Sequence, residues 1–270
     1  MKKDLFDLTG QVGVVIGATG VLGGAISQAL AGAGASVAVL GRNTEHGQTR
    51  VAAIREQGGT ADFFLADALD RDSLRSAKEK IIQQWGTPTI LVNAAGGNNP
   101  KVTVTGDLPF EKIPTEDWRT SFDLNLTAGA LLPCQEIGAA MKDAGQGSII
   151  NIASIAAHVP LSRVVAYAAA KSALLNLTQF LAREWAPYGV RVNSITPGFF
   201  PGEQNRRLLF NENGTPTERG GAILNRTPMK RFGQPDELAG AAVFLASPAA
   251  SSFVTGMDLR VDGGFLAQTL

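Results

Sequence analysis

Short apolar runs rich in β-branched residues alternate along the chain with longer amphipathic stretches. In order, residues 12–16, 21–33, 36–40 and 44–57 follow this rhythm. A bounded apolar run of about five residues predicts a strand, and apolar positions recurring every three to four residues predict a helix. The order is therefore β-α-β-α. Further strands are predicted at 61–65, 89–93, 148–153, 191–196 and 258–261, with helix-like patterns between them. Most of these strands are continuous apolar runs instead of alternating with polar positions, so both of their faces need cover. That pattern predicts an α/β fold in which a doubly wound parallel sheet carries helices on both faces. Residues 197–226 break the rhythm, being rich in Gly, Pro, Asn and Arg with only short apolar clusters. A long irregular insertion of this kind commonly covers a ligand.

Composition narrows the field without choosing within it. The 270 residues are 44% hydrophobic and 18% charged, and no linker-like stretch divides them, so one domain over 1–270 is expected. Lys plus Arg and Asp plus Glu both total 24, which leaves no basic excess for a nucleic-acid backbone or an anionic membrane. The first ten residues lack the apolar core of a secretion signal, and no apolar run reaches transmembrane length. The one cysteine, Cys134, falls in an apolar helical pattern and reads as a buried structural thiol. A cytoplasmic location is the expectation. His46 and His158 are the two histidines, and no Cys, His or carboxylate spacing suits a metal, so none is expected.

After the first predicted strand comes Gly17-Ala18-Thr19-Gly20-Val21-Leu22-Gly23, leading straight into a helical pattern. Glycines at such a junction let the backbone turn tightly and approach a pyrophosphate, whose charge the helix N-terminus favours. The second strand ends in Leu40-Gly41-Arg42-Asn43. An acidic side chain that would hold free ribose hydroxyls is missing there, and Arg42 offers a guanidinium to a ribose 2′-phosphate. NADP(H) is favoured on this reading, with NAD(H) possible if Arg42 is merely solvated. Asp67 and Ala68, following the third strand, are placed beside the adenine by topology alone.

Tyr167-Ala168-Ala169-Ala170-Lys171 sets a phenol and an amine at i and i+4, on one helix face. A free tyrosine titrates near pH 10 and supplies little phenolate at neutral pH. At about 4 Å and an effective dielectric near 20, an ammonium attracts a phenolate by about 4 kcal/mol, or about three pKa units before desolvation opposes it. Lys171 is therefore expected to hold the Tyr167 phenol down for general acid/base work. Ser154, at the end of a predicted strand, is placed to stabilise developing charge on an oxygen beside Tyr167.

Taken with Asn93-Ala94-Ala95-Gly96, Asn125, residues 193–198 and Val261-Asp262-Gly263-Gly264, these motifs follow one order from end to end. On them, the chain resembles a short-chain dehydrogenase/reductase with a single Rossmann-type domain. The resemblance implies Tyr167 as proton donor and acceptor, Ser154 as the group orienting the carbonyl, Lys171 on the nicotinamide ribose and Asn125 supporting a water relay. It implies cofactor contacts along Gly17, Thr19, Gly20, Val21, Leu22 and Gly23, at Arg42 and Asn43, at Asp67 and Ala68, along Asn93 to Gly96, at Tyr167 and Lys171, and at Pro197 and Gly198. It also implies a homo-oligomer, commonly a tetramer, through helices around 117–141 and 167–186 and the C-terminal segment. One departure is the first motif. Ile16 stands where the family usually has Thr, and the glycines are spaced as in larger relatives, so the pyrophosphate contact differs in detail.

Residues 94–100, 197–200 and 203–206 look like those of the fructuronate reductases, or D-mannonate oxidoreductases, within that family. Such an enzyme interconverts a keto hexuronate and an aldonic acid. Asn98, Asn99, Gln204 and Asn205 are the candidates for hydroxyl groups, and Arg206, Arg207, Lys101 or Arg163 for a carboxylate. A gluconate 5-dehydrogenase and a 3-oxoacyl carrier-protein reductase are the enzyme alternatives, although no basic cluster beyond Lys230-Arg231 is evident for an acidic carrier. A dinucleotide-binding redox sensor without turnover is the alternative outside enzymes.

Overall fold

The computed structural model describes residues 4–202 and 205–268. Seven parallel strands form one sheet in the order β3-β2-β1-β4-β5-β6-β7. They are β1 (Val12–Ile16), β2 (Ser36–Gly41), β3 (Thr60–Leu65), β4 (Ile90–Asn93), β5 (Gly147–Ile152), β6 (Val190–Pro197) and β7 (Asp258–Val261). Chain direction across the sheet reverses between β1 and β4, which pair in register from Gly13↔Ile90 to Ile16↔Asn93. The carboxyl ends on either side of that switch diverge into a crevice, the place where open α/β sheets bind ligands.

Alternating residues of the apolar strands feed two cores. Val15, Val37, Val39, Ile150 and Ile195 pack on one face with Ile26 and Leu30 of α1 (Val21–Gly32) and Leu245 of α9 (Ala239–Ala246). Val14, Ile16, Leu40, Ile149 and Val192 pack on the other with Leu74 and Ile81 of α3 (Arg71–Trp85) and Leu181 of α6 (Val165–Trp185). Helix α2 (Thr44–Glu56) contributes Val51 and Ile54 to the first face. The central strands are buried on both sides, as their apolar runs predict, whereas the edge strands β3 and β7 are partly exposed. Cys134 lies in the second core, and burial pushes its thiol up to about 12, the state of an inert packing residue.

Two regions depart from the pattern. The helix beginning as α4 (Thr115–Phe122) widens into π-type turns over Asp123–Leu131 and Cys134–Gly138 before closing as α5 (Ala139–Asp143). Pro133, which has no N–H to give, separates the two wide stretches. The 197–226 insertion is less irregular than expected. It holds α7 (Arg206–Leu209), a bridge between Phe210 and Pro216, and α8 (Glu218–Arg226). Leu209 and Ile223 close a small core with Phe232, flanked by Phe199 and Phe210. Each apolar cluster is too short to show a period, and one packing partner, Phe232, lies outside the insertion.

Candidate active site

The glycine turn is built by close backbone contact. Gly17 has φ +77°, and a Cβ there would stand 2.7 Å from the Ala95 nitrogen and 2.9 Å from the Ala94 carbonyl. A Cβ on Gly23 would meet the Gly17 oxygen at 2.3 Å. Neither position tolerates a side chain without moving backbone, so the turn from β1 into α1 is locked against the β4 exit. Gly20 differs, since a Cβ there would touch only the Gly17 oxygen, at 3.4 Å. It opens α1 with φ −80° and ψ 172°, no side-chain cap and no acidic residue in the first turn. The N–H groups of that turn therefore face an open space suited to an anion. This cradle, which a side chain at Gly20 would enter, fits a dinucleotide pyrophosphate. Residues up to Gly202 fold back over its rim, a Cβ on Gly202 lying 3.1 Å from Val21 Cγ2. Leu22 packs against the core below.

Beside the turn, a Cβ on Gly41 would lie 2.9 Å from Thr19 Cγ2, so Thr19 occupies the space an acidic side chain would need. Arg42 Nη1 stands 3.9 Å from Asp67 Oδ2 in a solvent-exposed pair. Asn43 uses its side chain to cap α2, accepting the His46 N–H at 3.0 Å. Asp67 likewise steadies its own loop, accepting the Leu69 N–H, with the partly buried Ala68 beside it. Asn93 is sealed inside the protein, where its Nδ2 donates to Asn151 Oδ1 at 2.8 Å, so its side chain braces β4 against β5. Pro197 and Gly198 close onto the β7 exit, with the Gly198 N–H donating to the Val261 carbonyl at 2.9 Å.

The reactive groups gather where β4 and β5 end. Asn125 Nδ2 donates to the Gly97 and Ser121 carbonyls and its Oδ1 accepts the Gly97 N–H, all at 2.9 Å. By taking the Ser121 carbonyl one turn behind it, Asn125 accompanies the widening of its helix. A Cβ on Gly96 would lie 2.7 Å from Asn125 Oδ1 and 3.3 Å from Lys171 Nζ, so only glycine lets these two groups converge there. Lys171 Nζ donates to the Ile152 carbonyl at 2.8 Å and lies 5.9 Å from the centre of the Tyr167 ring. Burial lowers this ammonium to about 8. Ser154 caps the short turn Ile155–Ala157, accepting the Ala156 N–H at 3.1 Å, and its hydroxyl is hydrogen-bonded to Tyr167.

Tyr167 corrects an expectation. Burial raises its phenol above the ordinary value, and the opposing influence is the hydrogen bond with Ser154, not the charge of Lys171. The amine is turned to the Ile152 carbonyl, so desolvation of the phenol prevails over the through-space attraction expected from i,i+4 spacing. Tyr167 is thus a protonated phenol at neutral pH, set to give a proton.

The rim residues have other ties. Asn98 Nδ2 donates to Thr103 Oγ1 at 2.7 Å, and Asn99 Oδ1 accepts the Lys101 N–H at 3.0 Å. Asn205 brackets its own turn, accepting the Gly202 N–H at 2.7 Å and donating to the Phe200 carbonyl at 3.0 Å. Lys101 is 3.8 Å from Asp117, and the Arg206 guanidinium sits 5.5 Å over the Phe210 ring. Arg163 and Arg207 are exposed, and Arg163 holds a left-handed φ of 75° just before α6. Gln204 lies outside the described residues. The fold also gathers a basic group that the sequence hides: Arg71, Arg75 and Lys78 of α3 surround the buried Glu136 at 2.8, 3.6 and 3.7 Å. Lys230-Arg231 is no free basic patch, because Arg231 is paired with Glu237 at 2.6 Å.

Two polar groupings escape sequence reasoning. Asn151 Nδ2 donates to Thr178 Oγ1 at 2.8 Å, extending the buried chain from Asn93 into α6. His158 Nε2 lies 2.9 Å from Asp258 Oδ2, and Ser194 and Thr196 both donate to Asp258 Oδ1 at 2.7 Å. These partners are remote in sequence, so no local spacing announces them.

A protonated phenol tied to a serine hydroxyl, a buried lysine one turn away and a phosphate-type cradle at the sheet switch point can together serve hydride transfer to or from a carbonyl carbon. These features define an NAD(P)-dependent oxidoreductase. The comparisons agree: residues 17–266 match the family described as enoyl-(acyl carrier protein) reductase, and the chain belongs to the short-chain dehydrogenases/reductases. It is 42% identical to an uncharacterized oxidoreductase, UxuB, of Bacillus subtilis (strain 168), over 97% of this chain and 96% of that one. A Haemophilus influenza protein described as a D-mannonate oxidoreductase, solved with bound NAD, superposes with a TM-score of 0.90 at 38% identity, covering 97% of both chains. A gluconate 5-dehydrogenase from Burkholderia cenocepacia J2315, solved with NADP and tartrate, superposes at 0.88 with 34% identity, covering 98% and 99%. Among the described residues no helix is long and apolar enough to cross a membrane.

Proposed function

We propose that this enzyme interconverts a keto sugar acid and its hydroxy acid, D-fructuronate and D-mannonate, with NADP(H) favoured over NAD(H). The observation that carries the reading is the Ser154–Tyr167–Lys171 cluster, together with the open glycine cradle at Gly20. The likeness to proteins described as acting on D-mannonate and gluconate supports a sugar acid. Arg42 at the end of β2 supports the 2′-phosphate form of the cofactor.

The cradle from Gly17 to Gly23 would hold the pyrophosphate, Asp67 and Ala68 the adenine end, and Lys171 the nicotinamide ribose. The reduced nicotinamide, when bound there, would supply a hydride to the carbonyl carbon. Ser154 donates to the carbonyl oxygen and fixes its distance from Tyr167. Tyr167 passes its proton to that oxygen as charge develops. Lys171, still charged at neutral pH with its value near 8, stabilises the phenolate left behind. Asn125 fixes the backbone at Gly97 beside Lys171, where water would return a proton from solvent. Asn98, Asn99, Gln204 and Asn205 are assigned to substrate hydroxyls, the loop bonds of Asn98, Asn99 and Asn205 exchanging for substrate, and a cation such as Arg206 to the carboxylate. The assembly is taken as a homotetramer in the cytoplasm, and a species sedimenting as a monomer at micromolar concentration would exclude that state.

The test is oxidation of NADPH and of NADH with D-fructuronate, 5-keto-D-gluconate and an acetoacetyl thioester. Highest catalytic efficiency on fructuronate is expected. Preference for 5-ketogluconate would move the assignment to a gluconate 5-dehydrogenase, preference for the thioester to a carrier-protein reductase, and cofactor binding without turnover to a sensor.

A further inference from the structure

We infer that His158 is a positioning residue, held by Asp258 of β7 so that the turn carrying Ser154 stays aligned with Tyr167. Asp258 lies on the edge strand, directly across from Ser194 of β6. Its Oδ1 receives two hydroxyls, from Ser194 and Thr196, each at 2.7 Å. Its Oδ2 is buried and accepts no hydrogen bond from the described residues, and the ring nitrogen His158 Nε2 lies 2.9 Å from it as a polar contact. Two donors, both from the sheet itself, offset part of the carboxylate's desolvation, and the His158 ring makes a third polar contact. The third reaches across to the segment between β5 and α6, so His158 is the tie that connects this carboxylate to the site.

His158 closes the short turn that Ser154 opens. The Ser154 side chain caps Ile155–Ala157 from the front, and the His158 N–H donates to the Ile155 carbonyl at its end. Ser172 Oγ of α6 also reaches this turn, donating to the Ala157 carbonyl at 3.0 Å in an exposed bond. Ser154 Oγ serves both the Ala156 N–H and Tyr167, so a small rotation of the turn would lengthen one bond or the other. Hydrogen bonds weaken steeply with misalignment, and reacting groups need placement to a fraction of an ångström. The Asp258–His158 contact restrains that rotation from the sheet edge.

A double-mutant cycle separates positioning from plain structural support, because an effect that runs through Ser154 disappears when Ser154 is already gone. The substitutions are His158→Leu, which keeps bulk and removes the ring nitrogens, and Ser154→Ala. Reduction of D-fructuronate, 5-keto-D-gluconate or the acetoacetyl thioester, whichever is turned over, is followed with NADPH. His158→Leu should lower kcat about tenfold with the KM for NADPH within twofold, and should lower kcat less than twofold in the Ser154→Ala background. His158→Gln, which restores a donor, should recover most of the loss. A second readout needs neither cofactor nor substrate. In a Tyr188→Phe background Tyr167 is the single tyrosine, and its ultraviolet titration should move upward in His158→Leu, in the same direction as in Ser154→Ala and with no further move in the double variant. If His158→Leu does not fold, Asp258→Asn, which keeps an acceptor for Ser194 and Thr196, carries the same cycle. Equal losses with and without Ser154, or an unmoved Tyr167 titration, would overturn the inference. Because that titration involves no substrate, the result stands apart from whether the sugar-acid reading survives.

Discussion

Replacing Arg42 with Ala should lower catalytic efficiency with NADPH by ten- to hundredfold while leaving NADH within about twofold. The guanidinium is 3.9 Å from Asp67, and the two side chains are 72% and 42% exposed, so that pair is screened by water. An exposed pair of this kind is worth about 1 kcal/mol or less, and swapping it for a 2′-phosphate sacrifices little. Charge-assisted bonds to the phosphate contribute about 1.5–3 kcal/mol, which sets the range of the expected loss. Asp67→Asn should raise NADPH efficiency by no more than about fivefold, since it removes only that weak competition. Adding Gly41→Asp to an Arg42 variant should carry preference to NADH, because a carboxylate accepts ribose hydroxyls and repels phosphate. The gain should be larger with Thr19→Ser, whose missing methyl frees the space where the new Cβ would otherwise lie 2.9 Å from Thr19 Cγ2. Initial rates with both cofactors across the variants provide the assay. A wild-type preference for NADH of tenfold or more, or equal losses on both cofactors in Arg42→Ala, would refute the role given to Arg42.

Three further outcomes follow from the site. Burial holds Lys171 near 8, below its unfolded value of about 10.5, so between those values the unfolded chain binds a proton the native chain does not. Stability from this group is therefore missing below pH 8 and returns as pH rises above it; denaturant titrations should show about 2–3 kcal/mol gained between pH 8 and 10 that is absent in Lys171→Met, and an identical slope in both would contradict this. Gly23→Ala should destabilise the fold by about 1–3 kcal/mol, its Cβ forced to within 2.3 Å of the Gly17 oxygen. Gly20→Ala should cost about 1 kcal/mol or less in melting experiments yet weaken NADPH binding at least tenfold by fluorescence titration, because its methyl stands in the cradle. The reverse pattern would misplace the pyrophosphate.

The central strands and the long helices were legible because those strands are bounded apolar runs and those helices repeat their own period. The glycine turn, Tyr167 and Lys171 were legible because their partners are neighbours in the chain or sit one helical turn apart. Hidden features depend on contacts across the fold. The phenol of Tyr167 is governed by burial and Ser154, and spacing alone misassigned that influence to Lys171. Asn93 has the look of a cofactor ligand and is a buried brace to Asn151. The helices of the 197–226 insertion depend on Phe232, and the pairing of His158 with Asp258 joins β7 to the β5–α6 turn. No local pattern carries such information.

On the proposed mechanism, Tyr167 gives the proton to a substrate oxygen in a site that binds cofactor independently of that step. Tyr167→Phe tests it most directly, since the ring remains and only the transferable proton is lost. The expected result is NADPH affinity within a few-fold of wild type and a fall in single-turnover reduction of at least a thousandfold, about 4 kcal/mol of barrier. Turnover within tenfold of wild type, with cofactor bound normally, would contradict it.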